Sequence, residues 1–311
     1  RKAQLLTLQD EYEQAMVTWK EVVGEDQNCQ LAYRGLAKAY YTTEDNEQAM
    51  KYAELGADRV TYANAFVKIR TAKLENTFIW IFLGVLVLVA LLVVFIVMKR
   101  RREWVIFKNE KLRIALGALP HPVESFRLVK EKQMGSMPIA IALLAIFYIL
   151  SAIKDTASGF AFNYFDASNY NSFYVFLSTV GLVCLWTLAN WLICVLMGGI
   201  GKLKEIFIVT CYSLTPLIIG SIISLIFTYI LSPDEYVFIT LLTTVLTLYA
   251  AFMLIIGIMR VHDFEFGRFL GTTILSLISM LIIVFLIFLV ILLAQQVFSF
   301  IMTLFVEIKY R

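Results

Sequence analysis

Groups that carry chemistry are scarce in this chain. Its 311 residues include two histidines and four cysteines, too few and too scattered for a metal-ligand or disulfide pattern. Cys29 stands alone near the start, and Cys184, Cys194 and Cys211 lie in apolar stretches, so all four read as small packing residues. His121 is held between Pro120 and Pro122, and neither it nor His262 has a nucleophile, base or ligand set converging with it. The expectation is a non-enzyme with no catalytic or metal-binding residue and no cofactor. Charge is sparse too: 16% of residues are charged against 60% hydrophobic, and mean hydropathy is +0.76. The interiors of the long apolar runs lack Asp, Glu, Lys, Arg and His, whereas an ion-coupled carrier commits ionisable groups to mid-membrane positions. A phosphate loop is excluded at Gly201-Lys202, because Leu196 stands where Gly-x4-Gly-Lys-Ser/Thr needs glycine and Leu203 follows the lysine. Nothing points to nucleic acid.

What is present is apolar length. Phe78 to Met98, FIWIFLGVLVLVALLVVFIVM, carries no charge and as a helix would rise roughly 30 Å, the thickness of a bilayer's hydrocarbon core. Lys99-Arg100-Arg101-Arg102 follows at once. Lys and Arg gather on the cytoplasmic side, so this end is expected inside and residues 1–77 outside. Residues 99–136 hold 10 basic and 4 acidic residues, against 10 and 12 in residues 1–76. The chain opens on Arg1 without an apolar leader, so a signal segment or a further domain is expected upstream.

A repeat with a period of 34 residues runs through the first part. Tyr12-Glu13-Gln14-Ala15-Met16 recurs as Asn46-Glu47-Gln48-Ala49-Met50, with Trp19 in register with Ala53. Tyr33, Leu36, Ala37 and Tyr40 follow helical spacing between them. Through Leu36, Ala37, Tyr40 and Ala49 the segment resembles the tetratricopeptide repeat family, though Gly56 replaces its usual alanine and no proline closes the unit. About one and a half repeats are present where stable arrays need three or more, so the array is expected to continue upstream or to cap itself on another surface. Its face at Tyr33, Leu36 and Tyr40 is either a spacer surface or a docking face. No Gly or Pro interrupts the chain from Tyr62 to Phe78, which predicts a stalk helix continuous with the first span.

In the linker, 99–136, the arginines beside Trp104, Ile106 and Phe107 suit the headgroup layer. The helix beginning at Pro122 places Val123, Phe126 and Val129 or Lys130 on one side, as an interfacial segment or a docking site for a cytoplasmic partner. Five further spans are expected at Pro138–Ile153, Phe173–Met197, Ile206–Leu231, Tyr236–Met259 and Phe269–Leu293. Lys202, Lys204, Arg260 and Arg268 place their loops inside, while Ser232-Pro233-Asp234-Glu235 has no basic residue and belongs outside. The loop Lys154–Ser172, rich in Phe, Tyr and Asn, suits an aromatic belt or a contact with the stalk. The tail 294–311 reads as an interfacial helix ending outside. The predicted fold class is therefore all-α and polytopic: a repeat region over 1–77, a first span over 78–98, a five-helix membrane domain over 137–293, and the tail.

Within that domain Pro216 removes a helical hydrogen bond and frees the carbonyl of Tyr212, predicting a kink beside Tyr212, Ser213 and Thr215. Gly267-x3-Gly271, followed by Thr272, Thr273, Ser276 and Ser279, predicts a face that a neighbouring helix approaches closely. Gly198-Gly-Ile-Gly-Lys-Leu-Lys-Glu205, continuing to Cys211-Tyr-Ser-Leu-Thr-Pro-Leu217, resembles the Yip (Ypt-interacting protein) domain family, as does Pro122-Val-Glu-Ser-Phe-Arg. The resemblance covers roughly Pro120 to Leu293. It implies a five-helix membrane unit with its N-terminal end cytoplasmic, and a role as a membrane scaffold that recruits partners. The outer repeat stalk and extra leading span resemble bacterial members, which implies the bacterial cytoplasmic membrane and not a small-GTPase role. It also implies partners among other membrane-complex subunits, with the components of an ATP-driven (ABC) carbohydrate importer preferred. The alternative is a channel or passive carrier whose path is lined by Asn190, Thr243, Thr244 and Thr247.

Overall fold

The computed structural model describes residues 1–102, 109–154, 156–164 and 170–310. Every regular element among them is helical. The chain divides into two compact units. One holds Arg1–Ile106, Lys154–Ala167 and Ile222–Leu242, and the other holds Phe107–Ile153, Ser168–Ser221 and Thr243–Arg311.

The first unit opens with α1 (Lys2–Leu8), α2 (Tyr12–Glu25), α3 (Gln30–Thr42), α4 (Asn46–Leu55) and α5 (Arg59–Arg102). Each helix lies against the next, and α3 also meets α1 and α5. Three of the turns pass through left-handed residues, Asp10, Glu44 and Ala57, which reverse the chain within a few residues. Asp45 caps α4 by accepting the Gln48 N–H at 3.2 Å, and Asp58 accepts the Thr61 N–H at 3.1 Å and its hydroxyl at 2.8 Å. The 34-residue period has a packing cause. Ala15 and Ala49 are both fully buried, as are Ala32, Ala37 and Ala53, and such small side chains let helix backbones approach. Trp19 lies over Gly35, where any Cβ would overlap its indole.

The second unit contains α6 (Glu110–Gly117), α7 (Pro122–Glu131), α8 (Met137–Ile153), α9 (Ser172–Phe176), α10 (Leu182–Leu196) and α11 (Leu203–Ser213). A π-helical turn, Leu177–Gly181, joins α9 to α10. Beyond Leu214 come α12 (Thr215–Ile230), a 3-10 turn over Pro233–Glu235, α13 (Tyr236–His262) and α14 (Phe266–Tyr310). The core of this unit brings Phe126 and Val129 of α7 together with Ile206, Val209 and Tyr212 of α11 and Met253, Ile258 and Val261 of α13.

Among the described residues, four helical segments are long and apolar enough to cross a membrane: Ser172–Leu196, Leu203–Ile230, Pro233–His262 and Phe266–Ile308. Met137–Ile153 is apolar but shorter, at 17 residues. The expected first span, Phe78–Met98, belongs to α5, whose backbone is helical without a break from Arg59 to Arg102; most of its side chains lie outside the described residues.

Two sequence expectations differ from the structure. The tail is not a separate element, since α14 continues through Leu293 to Tyr310 as one helix of 45 residues. The reason is local: no Gly or Pro stands between Leu293 and Tyr310 to stop it. The apolar side of α7 is also not laid out toward lipid. Phe126 and Val129 are buried in the protein while Val123 stays exposed. Space for this comes from Gly257 on α13, where a Cβ would overlap Val209 and lie 3.3 Å from the Phe126 ring.

Candidate functional site

The most connected polar group of the second unit is built on the glycine loop between α10 and α11. Gly198 adopts φ +77°, a left-handed conformation that glycine takes without strain. The Gly199 N–H then closes back on the Cys194 carbonyl at 2.7 Å. Gly201 approaches the end of α13, donating its N–H to His262 Nδ1 at 3.3 Å. At this position a Cβ would come within 2.7 Å of both His262 and Val261. Glu205, the third residue of α11, reaches back to the Lys202 N–H at 3.1 Å, half of a capping box.

The same carboxylate receives two more donors from α7 and its C-terminal turn. Lys130 Nζ lies 2.9 Å from Glu205 Oε2, and Gln133 Nε2 lies 2.8 Å from Oε1. Lys130 also donates to the Ile200 carbonyl at 2.8 Å. Three segments expected on the basic, inner side are thus tied together: the linker helix, the glycine loop and the end of α13. Glu205 is 4% exposed, so its charge is compensated inside the fold. Chemically, the group is a closed clamp.

Tyr212 is fully buried on α11, and its hydroxyl accepts the Ser136 N–H at 3.1 Å. The helix breaks at Leu214, two residues before Pro216, and the freed Tyr212 carbonyl accepts the Thr215 hydroxyl at 2.8 Å. Gly267 and Gly271 lie apart from the buried side of α14, with open space where their Cβ atoms would be. The side that meets α10 carries Thr272 and Ser276, both fully buried, and Asn190 donates to the Ser276 hydroxyl at 3.4 Å. Thr272 and Ser276, two members of the expected small-residue face, are thus the ones that pack on α10. Of the candidate pore-lining hydroxyls, Thr247 is exposed and donates to the Thr243 carbonyl of its own helix at 2.7 Å.

In the first unit Leu36 is buried in the helix stack, while Tyr33 and Tyr40 are half-buried and form a ladder with Tyr52. The Tyr40 and Tyr52 rings stack at 5.3 Å, and those of Tyr33 and Tyr52 at 6.3 Å. Arg100, Arg101 and Arg102 end α5; their side chains, and Trp104 with the rest of residues 103–108, lie outside the described residues.

Sequence reasoning singled out the loop Lys154–Ser172 for stalk contact, but not its partners. Arg59 donates to the Asn163 carbonyl at 2.8 Å and lies over the Phe160 and Tyr164 rings. Tyr62 stacks obliquely on Phe160, and burial pushes its phenol pKa up. Farther along α5, Arg70 holds Glu235 through two bonds of 2.6 and 2.8 Å and donates to the Ile230 carbonyl at 2.8 Å. The missed residues were Arg70, Glu235, Lys130 and His262. Lys130, Glu235 and His262 had one sequence signal, an ionisable group beside a turn or a helix end, whereas Arg70 lies inside α5 and had none.

No curated protein and no solved structure matches the chain. The family comparison does match, over the region that holds the glycine loop, the Tyr212 to Pro216 break and the greater part of α14. Its span, residues 116–305 of the 311, places this membrane protein in the Yip1 domain family.

Proposed function

We propose that the protein is a non-enzymatic integral-membrane scaffold, or accessory subunit, that docks partners in a larger membrane assembly. The observation that carries this reading is α14. It is one helix of 45 residues, about 67 Å long, roughly twice the hydrocarbon core. Every described side chain from Val284 to Ile308 is exposed, most of them apolar. A helix so long and so little covered by its own chain offers a large surface to other helices, while the Glu205 clamp keeps its polar groups for internal bonds.

In this reading six helices cross the membrane, with Phe78–Met98 and Met137–Ile153 joining the four long spans. Residues 1–77 form a tetratricopeptide-like stalk outside a bacterial cytoplasmic membrane, and the tail ends on that side. Two sets of contacts support the arrangement. The stalk helix meets the loop after α8 and the α12–α13 turn, the segments poor in Lys and Arg. Lys130 joins the basic linker to the glycine loop that carries Lys202 and Lys204, and Gly201 joins that loop to His262 at the end of α13, beside Arg260. The preferred partner is an ATP-driven carbohydrate importer, on family resemblance. Mild-detergent purification followed by mass spectrometry tests the proposal: stoichiometric membrane partners are expected, and a monodisperse monomer without companions would overturn it.

A further inference from the structure

The first unit contains a groove of about 560 Å³ between α4 and α5. Met50, Phe66, Ile69 and Leu74 give it apolar walls, and Arg70 and Lys73 stand on the α5 side with Glu47 opposite on α4. Arg70 and Lys73 are i, i+3 neighbours and share a helix face, so their like charges repel. Glu235 compensates Arg70 from one side only: it takes the two Nη groups, and Arg70 Nε is buried without a hydrogen-bond partner among the described residues. Lys73 is exposed and forms no salt bridge among them. The groove thus combines apolar walls, one uncompensated cation and one guanidinium with an unused N–H. A carboxylate placed beside Lys73 on this face would relieve the repulsion and pair its ammonium.

From this complementarity we propose that the α4–α5 groove docks an amphipathic helical segment of a partner protein, apolar on the face it buries and bearing an acidic side chain toward Arg70 and Lys73. From Phe66 to Thr77 α5 rises about 16 Å, the length of three helical turns, which admits anchors at i, i+3, i+4 and i+7. The occupant would also touch the residue that holds the α12–α13 turn, since Arg70 binds Glu235 and the Ile230 carbonyl. Docking outside would in this way bear directly on the ends of two membrane helices. The proposal rests on the scaffold reading and specifies the chemistry of one partner.

The test uses the full chain in lipid nanodiscs and a fluorescent amphipathic peptide of about 14 residues, with leucines at the anchor spacing and one glutamate beside them. Peptides with glutamine or lysine in place of the glutamate serve as comparisons. The glutamate peptide is expected to bind about tenfold more tightly than the glutamine one. Lys73→Glu should abolish that preference and transfer it to the lysine peptide, a gain that a misfolded variant cannot give. Equal binding of all three peptides, or none by any, would overturn the proposal. So would a disulfide between two copies carrying Lys73→Cys, which would assign the groove to self-association. Partners that co-purify equally with the wild type and Lys73→Glu would sink the groove proposal and leave the scaffold reading standing. Absence of partners from both would remove the scaffold reading itself.

Discussion

Lys130 and Glu205, 75 positions apart in sequence, form a salt bridge of 2.9 Å in which the carboxylate side chain is 5% and the ammonium side chain 19% exposed. It joins α7 to α11 at the glycine loop. Breaking one side of such a pair leaves a poorly solvated charge, whereas removing both relieves it. Glu205→Ala is expected to lower stability by about 3 kcal/mol, and Lys130→Met with Glu205→Gln by clearly less. Thermal unfolding in detergent followed by circular dichroism measures both; equal losses would show that the pair does not act as a unit.

Arg70 and Glu235 make the corresponding tie in the first unit, with more solvent around them, at 20% and 32% exposed. Screening lowers its value to about 1 kcal/mol. Arg70→Glu or Glu235→Arg alone should speed amide exchange in residues 230–235, while the combined swap should restore protection. Hydrogen exchange read by mass spectrometry checks this, and unchanged exchange in the single variants would refute the tie.

Composition and periodicity sufficed for the helical class, the apolar runs and the helix pairs before Arg59, because length, charge gaps and a 34-residue recurrence of Ala15 and Ala49 are properties of the chain alone. The break at Pro216 was legible for the same reason, since the missing N–H is a covalent fact. The Lys130 and Arg70 contacts were not, because each joins residues far apart whose pairing depends on how helices fold back. Of the small-residue face on α14, Thr272 and Ser276 are buried where the helix meets α10, and Asn190 donates to Ser276, a pairing that spacing alone does not reveal. The end of α14 was misplaced because hydropathy falls at Gln295-Gln296, although glutamine is a good helix former and does not stop a helix.

Gly201 leaves no room for a side chain against His262. Gly201→Ala would place a Cβ 2.7 Å from the imidazole and from Val261, and overpacking of this kind costs about 1–3 kcal/mol. Adding His262→Ala should recover part of the loss, because it removes one of the two obstructing groups. Thermal unfolding of the single and double variants decides it, and a strictly additive result would contradict the contact.

Sidedness is the last expectation. The six-span reading puts Lys204 inside and Asp234 outside, because the glycine loop carries lysines and the α12–α13 turn carries none. Both sites are accessible for labelling: Lys204 and Asp234 are exposed. With the four native cysteines replaced, Asp234→Cys should react in intact cells with a membrane-impermeant maleimide. Lys204→Cys should react only after permeabilisation. The reverse pattern would invert the membrane domain. Reaction of both from outside would remove the crossing by Leu203–Ile230, and with it the alternation on which the outer position of the stalk depends.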